Sequence, residues 1–337
     1  MDSIRIAILG DGGWGTALAL VLARKGLSPT LWGVFPHYIE EIKITRENKK
    51  YLPRIKIPQT INFSSNLQQV VEQNDVLVVA IPTIYLRGIL EKISTCNVSR
   101  KIVVSCVKGI ENETLLTPSR IIHECLRDIK LAVLSGPSHA EEVARNIPTC
   151  VVATSENHAV AKKVQEIFME TRFRVYTSND LIGVELGGAL KNVIAIAAGL
   201  CDGLDFGANT KAALLSRGLQ EIIRLGIVLG AKAETFFGLS GMGDLVTTCI
   251  SSYGRNRSVG ERIARGEKIK DIVGSMEMIA EGVKTTRSAF NLAEKHSIDM
   301  PITSEVYQVL YKNKSPLQSI SDLMLRDSKD EIDKQTI

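Results

Sequence analysis

Seven short apolar runs punctuate the chain up to Asn179: RIAILG, PTLWG, DVLVVAIP, KIVVSCVKG, LAVLSGP, TCVVATS and FRVYTSN. Val and Ile dominate them, without the apolar–polar alternation of a sheet that has one wet face. Such runs read as strands covered on both faces, the habit of parallel sheets. Helical segments such as Gly15–Lys25 and Leu116–Arg127 lie between them. Alternation of this kind predicts an α/β fold with a doubly wound parallel sheet. Beyond Asn179 the Val/Ile runs stop and long amphipathic segments take over: Leu181–Leu200, Lys211–Leu229, Asn256–Arg265, Lys284–Lys295 and Ser304–Tyr311. The reading is a sheet domain over 1–180, an all-helical C-terminal domain over 181–330 that begins directly with a long helix, and a charged tail over 331–337.

Composition removes several classes of function. The 337 residues carry 41 Lys and Arg against 37 Asp and Glu, a net charge of +4. That balance gives no reason to expect nucleic acid or a membrane surface as partner. No run reads as the ~18 apolar residues of an integral membrane helix, and the short apolar start does not read as a secretory signal. The six cysteines, Cys96, Cys106, Cys125, Cys150, Cys201 and Cys249, are widely spaced and form no C-x-x-C. Reduced core thiols and a cytoplasmic location are the expectation. The histidines are equally scattered, so no metal site is expected.

The first strand runs into Gly10, Gly12 and Gly15, a G-x-G-x-x-G that opens a helix. In that context the pattern is a dinucleotide-binding turn: one glycine turns the chain, one lets a pyrophosphate reach the backbone, and one lets the helix pack close. The helix N-terminus adds free N–H groups and a positive dipole end. The acid that should close the second strand and meet the ribose of NAD is missing, since that strand ends Leu31-Trp32-Gly33-Val34-Phe35. His37, Arg46, Lys49 and Lys50 offer phosphate partners or simply a solvated basic surface. NAD and NADP both remain open.

Further polar groups follow other apolar runs. Lys108 stands in VKGIE, an ordinary solvated lysine if judged alone. Gly136, Ser138 and His139 stand in LSGPSHAEEV, where Ser138 suits a turn, a helix cap or a ligand contact. The helix VELGGALKNVIAIAAGL carries Lys191 and Asn192 among small residues. Close packing explains Gly187 and Gly188 but not the lysine. Desolvation and a second cation such as Lys108 would draw that amine towards neutrality, where it can exchange a proton with a reacting oxygen. Asp244 is either the cap of the next helix or the partner of Lys191. Gly254, Arg255 and Asn256 begin a helix with the equipment for a phosphate monoester; Arg257 reads as surface. Glu281 sits at another helix start, where a carboxylate is favoured with or without a ligand.

These motifs in this order closely resemble the NAD(P)-dependent glycerol-3-phosphate dehydrogenases of bacterial type. The resemblance spans nearly the whole chain: GDGGWGTALA, NKKYLP, VKGIE, the LSGPS segment, GGALKNVIAIAAG, GLSGMGDLVTTC, GRNR, EGVKT and DMPI. It implies a Rossmann-type N-terminal domain, a helical C-terminal domain and a homodimer. It also implies reversible hydride transfer between NAD(P)H and dihydroxyacetone phosphate, a triose phosphate, giving sn-glycerol 3-phosphate for phospholipids. Carried over residue by residue, Gly13, Trp14, Ala140, Ile279 and Glu281 become cofactor contacts beside the glycines. Lys108 is shared between cofactor and substrate, and Lys191 is the catalytic proton acceptor. Gly136, Ser138, Asn192, Asp244, Thr248, Gly254 and Asn256 become substrate contacts, and Arg255 reaches both ligands. The chain departs from the family pattern at Gly13, which lacks a hydroxyl, at Gly254 in place of serine, at His139 in place of Phe, and at Val34 in place of an Arg that would favour NADP. A related hydroxy-acid or sugar dehydrogenase, or a cofactor sensor without turnover, are the competing readings.

Overall fold

The computed structural model describes residues 4–328, 330 and 331. Residues 332–337 of the expected tail lie outside them. The chain divides into two units. The first runs to Lys108 and resumes over Pro118–Leu181; the second takes Gly109–Thr117 and everything from Ile182 onward. By sequence position the excursion at Gly109–Thr117 falls within the sheet domain expected over 1–180. It is held instead by helix α13 (Glu281–His296), where Asn112 Nδ2 donates to the Ser288 hydroxyl at 2.6 Å and to the Lys284 carbonyl at 2.8 Å, and the Ser288 hydroxyl donates to the Ile110 carbonyl at 2.9 Å.

The first unit begins β1 (Ile6–Leu9), α1 (Gly13–Arg24), β2 (Thr30–Trp32) and α2 (Pro36–Thr45). A small hairpin follows, β3 (Glu47–Asn48) with β4 (Leu52–Lys56), then β5 (Asn62–Ser64) and α3 (Leu67–Gln73). The sheet continues through β6 (Val76–Val79), α4 (Thr83–Ile93), β7 (Ile102–Ser105), α5 (Pro118–Cys125) and β8 (Lys130–Ser135). It ends with α6 (Ala140–Ala144), β9 (Thr149–Thr154), α7 (His158–Phe168) and β10 (Phe173–Ser178). Eight strands form one sheet in the order β10-β9-β8-β7-β6-β1-β2-β5. The chain leaves β1 towards β2 on one side and returns beside it as β6, so the order reverses there. Such a switch point is where open α/β sheets bind ligands, outside the carboxyl ends of the strands.

Two features differ from the expected parallel sheet. Strand β9 runs antiparallel to β8, so β9 and β10 oppose the other six. The link from β8 to β9 holds only the five-residue α6, short for a parallel crossover. Apolar runs disclose burial on both faces but not strand direction. The edge strand β5 pairs with β2 through Asn62–Ser64, a segment too polar to read as a strand.

In the second unit, α8 (Leu181–Gly203) and α9 (Ala208–Val228) are followed by a 3₁₀ turn (Ala233–Phe237) and a π-helical turn (Leu239–Gly243). Then come α10 (Asp244–Ile250), α11 (Arg255–Ala264), α12 (Ile269–Ser275), α13, α14 (Pro301–Lys312) and α15 (Pro316–Met324). No strand occurs here among the described residues. By length and composition alone α8 is long and apolar enough to cross a membrane, with a window of mean hydropathy 1.6. Its Ala, Leu and Ile are high in hydropathy because they form the centre of the helical core, and 89% of that window is buried inside the protein.

Candidate active site

The glycine turn stands at the switch point. Gly10 has φ +122°, and a Cβ there would lie 2.5 Å from the Ala80 carbonyl oxygen just after β6. Only glycine meets both demands. At Gly12, by contrast, a Cβ would find nothing within 4 Å, so that face of the turn is open. Helix α1 begins next to it with no side-chain cap and no acid in its first turn. Uncapped amides at the positive end of a helix, beside an open glycine, fit a dinucleotide pyrophosphate. Gly13 lies against Ala140: a Cβ would be 3.5 Å from that methyl and 2.8 Å from the Tyr51 carbonyl oxygen. The hydroxyl-bearing residue usual in the family would therefore need the 48–52 segment to give way. Trp14 packs part-buried against the sheet core.

One brace of this turn has no role in the sequence reading, although its motif NKKYLP is quoted there. Asn48 is fully buried. Its Nδ2 donates to the Asp11 carbonyl at 2.7 Å and to Thr16 Oγ1 at 2.8 Å, while its Oδ1 accepts from the Tyr38 hydroxyl at 2.6 Å and the Tyr51 amide at 3.1 Å. A polar residue beside a tight turn is the only local signal, and it does not name its partners.

Lys108, beyond β7, donates to the Gly136 carbonyl at 2.9 Å and to Ser138 Oγ at 3.3 Å. The Ser138 hydroxyl also donates to Gly136 O at 2.8 Å. These three residues thus form one polar cluster beyond neighbouring strands. Ser138 is not a helix cap; His139 occupies that position, without a side-chain bond to the helix.

The second unit gathers the other residues. On α8, Lys191 is only 6% exposed. Its ammonium donates to Asp244 Oδ1 at 2.6 Å and to Thr248 Oγ1 at 2.5 Å. Asp244, 1% exposed, is the first residue of α10, with Gly243 as the cap. The choice left open by the sequence resolves in favour of the lysine partner. The placement comes from backbone fit: a Cβ at Gly187 would lie 2.5 Å from the Ser240 carbonyl oxygen, so α8 meets the π-helical turn without side chains between. One helical turn further along each segment, Lys191 meets Asp244. Cys249, next to Thr248, has its thiol pushed up to about 12 by burial and is inert.

Asn256, near the start of α11, is buried and already engaged: its Nδ2 donates to Asn192 Oδ1 at 2.8 Å, and its Oδ1 accepts from the Gly282 amide at 2.9 Å. It ties α8 to the start of α13. Gly254 caps α11 by backbone alone. Exposed Arg255 donates to the Ile279 carbonyl at 3.1 Å, which brings Arg255, Ile279 and the adjoining Glu281 into one neighbourhood. Lys191, Asn192, Asp244, Thr248, Arg255, Asn256, Ile279 and Glu281 are thus brought together by four helices of the second unit. Lys108, Gly136, Ser138, Ala140 and the glycine turn belong to the first.

Known proteins match this arrangement over its length. The family model for the C-terminus of NAD-dependent glycerol-3-phosphate dehydrogenase matches residues 180–321, and that for its N-terminus matches residues 5–161. Glycerol-3-phosphate dehydrogenase [NAD(P)+] of Citrifermentans bemidjiense is 48% identical over 97% of this chain and 98% of its own. That of Geobacter sulfurreducens is 47% identical over 98% and 99%. The crystal structure of glycerol-3-phosphate dehydrogenase from Coxiella burnetii superposes with a TM-score of 0.93 at 38% identity, covering 96% of this chain and 99% of that one.

Proposed function

The chain belongs to the NAD(P)-dependent glycerol-3-phosphate dehydrogenase family, and from that premise we propose how its own residues share the work. The enzyme is an oxidoreductase that interconverts dihydroxyacetone phosphate and sn-glycerol 3-phosphate with NAD or NADP. When bound, the reduced nicotinamide supplies a hydride to C2 of the ketone. The turn Gly10–Gly15 and the N-terminus of α1 hold the cofactor's pyrophosphate through backbone amides.

Reduction leaves negative charge on the C2 oxygen. Lys191 gives that oxygen a proton, and takes it back in the reverse direction. Asp244 and Thr248 fix the ammonium in place, so its charge is already oriented when the alkoxide forms. Lys108 supplies a second positive charge for the substrate. Arg255 and the amides at the start of α11 hold the phosphate, whose binding energy positions the reacting carbon. Asn192 and Asn256 hold the start of α13 for Glu281. The observation that carries this account is the buried Lys191–Asp244–Thr248 cluster: a lysine so placed in an apolar helix has no structural task that an apolar side chain would not do as well.

The protein works as a cytoplasmic homodimer that supplies the glycerol phosphate backbone of phospholipids. The competing readings, a hydroxy-acid or sugar dehydrogenase and a silent cofactor sensor, gain no support from these likenesses. A substrate screen that follows NADH absorbance tests the assignment: dihydroxyacetone phosphate should be turned over in strong preference to dihydroxyacetone and to 2-oxo acids. Arg255→Ala should raise KM for the phosphorylated substrate and erase its advantage over dihydroxyacetone. Unchanged discrimination would move the phosphate site elsewhere.

A further inference from the structure

The second strand lacks the acid that dinucleotide-binding sheets use to hold the adenosine ribose, and a carboxylate from the neighbouring turn stands where that strand ends. Gly33 is the first residue beyond β2. A Cβ built on it would lie 2.7 Å from Asp11 Cγ, 2.8 Å from Asp11 Oδ2 and 2.6 Å from Ile39 Cδ1. The side chain that Gly33 does not have is replaced, in space, by the Asp11 carboxylate. Asp11 itself belongs to the glycine turn after β1, and its backbone is pinned by the bond from Asn48 Nδ2 to its carbonyl at 2.7 Å.

The carboxylate is poised for a donor. Oδ2 is buried and has no hydrogen-bond partner among the described residues. A buried acceptor left unsatisfied is costly, and its presence in a folded protein asks for an explanation. Burial pushes this carboxyl above its ordinary range, while its own backbone amide and, to a lesser degree, the charge of Lys50 work the other way. At the carboxyl ends of β1 and β2, beside the open face of Gly12, the donor expected of a dinucleotide is a ribose hydroxyl.

We propose that Asp11 is the specificity-determining residue for the cofactor: its carboxylate accepts a hydrogen bond from the 2′-hydroxyl of the adenosine ribose and so selects NAD over NADP. The inference rests on the reading of the glycine turn as the dinucleotide site. A 2′-phosphate would replace the one available donor with acceptor oxygens and bring negative charge against a buried anion. Gly33 is part of the device, since any larger residue would displace the carboxylate. Lys50 is the nearby cation that a 2′-phosphate would use once Asp11 lost its charge.

The test is equilibrium binding to the full-length protein, without second substrate, followed by nicotinamide fluorescence. NADH, NADPH and 2′-deoxy-NADH are titrated into the unaltered protein, Asp11→Asn and Asp11→Ala. The unaltered protein should bind NADH at least about tenfold more tightly than NADPH or 2′-deoxy-NADH, the scale of a hydrogen bond to a charged group. Asp11→Ala, which removes the acceptor, should bind NADH and 2′-deoxy-NADH alike, and in both variants, which lack the charge, NADPH should gain on NADH. Asp11→Asn keeps the shape of the side chain should Asp11→Ala fail to fold. Equal affinity of the unaltered protein for NADH and NADPH would overturn the inference. So would variants that keep the original ratios, or that weaken all three ligands equally, as a mere brace of the turn would. Failure of every dinucleotide to bind would overturn the underlying assignment of the turn along with it.

Discussion

In the proposed site the glycines after β1 offer the ligand backbone, whereas the cluster around Lys191 offers side chains held by other side chains. Gly10, Gly12 and Gly15 act by lacking atoms, and they do so within one short stretch of chain. Lys191, Asp244 and Thr248 act by their functional groups, and they reach one another across a separation of 53 or 57 residues. The glycines tolerate little change of shape and themselves carry no charge to compensate. The second buries charge and depends on each partner for the others' solvation. Damage to the two should therefore look different: loss of ligand affinity in the turn, loss of stability and turnover in the helical cluster.

The largest expected effect on stability is at Asp244. Asp244→Ala leaves a buried ammonium without its anion, and removal of one partner of such a pair costs about 3–5 kcal/mol. Urea denaturation should show a large fall in midpoint. The double variant Asp244→Leu/Lys191→Met should recover much of the stability while remaining inactive. A single variant as stable as the parent would mean that the pair is far less desolvated than its geometry indicates.

Glu221 on α9 sharpens the comparison, because it is a buried carboxylate satisfied by neutral donors. It accepts from the Ile302 amide at 2.6 Å, the Thr303 amide at 3.0 Å and the Thr303 hydroxyl at 2.9 Å, at the start of α14. Burial nonetheless pushes it up to about 7 from an ordinary value of 4.5, the three donors and Arg224 pulling the other way. The folded state then holds this proton more tightly than the unfolded one. Its contribution is fully present below pH ~4.5 and is lost as pH rises towards ~7, on the order of 1–3 kcal/mol. Glu221→Gln should remove that pH dependence from the difference between variant and parent. A difference that stays flat from pH 4.5 to 7 would show that the donors outweigh burial.

Asn48 carries the smallest of these effects. Asn48→Ala strands the Asp11 carbonyl and the Tyr51 amide, at a cost of about 1–3 kcal/mol. Its sharper signature is a weaker Kd for NADH with little change in the KM for dihydroxyacetone phosphate. A change confined to the latter would break the division of labour between the turn and the helices.

How far each region is legible in advance follows from the same contrast. The glycine turn reads directly, since strand, glycines and helix are consecutive. The open face of Gly12 is implicit in that pattern. Asp11 is not legible, because its meaning comes from Gly33 on the adjacent strand. In the helical unit, Lys191 stands out as a charge in an apolar stretch. Its partner is ambiguous from local pattern alone, as Asp244 also suits a helix start. The π-helical turn and the close approach at Gly187 settle the pairing, and neither has a periodic signature. In the sheet, unbroken Val and Ile runs disclose burial but not the reversal of β9 and β10. The polar edge strand Asn62–Ser64 has no apolar run to find.

The central claim is that the amine on α8 moves the proton. Single-turnover oxidation of bound NADH by saturating dihydroxyacetone phosphate, in Lys191→Ala protein shown to be folded by circular dichroism, addresses it directly. The rate should fall by about 10² or more, the worth of a positioned acid–base group, and a small primary amine in solution should restore part of it. A rate near that of the unaltered protein would take Lys191 out of the chemistry.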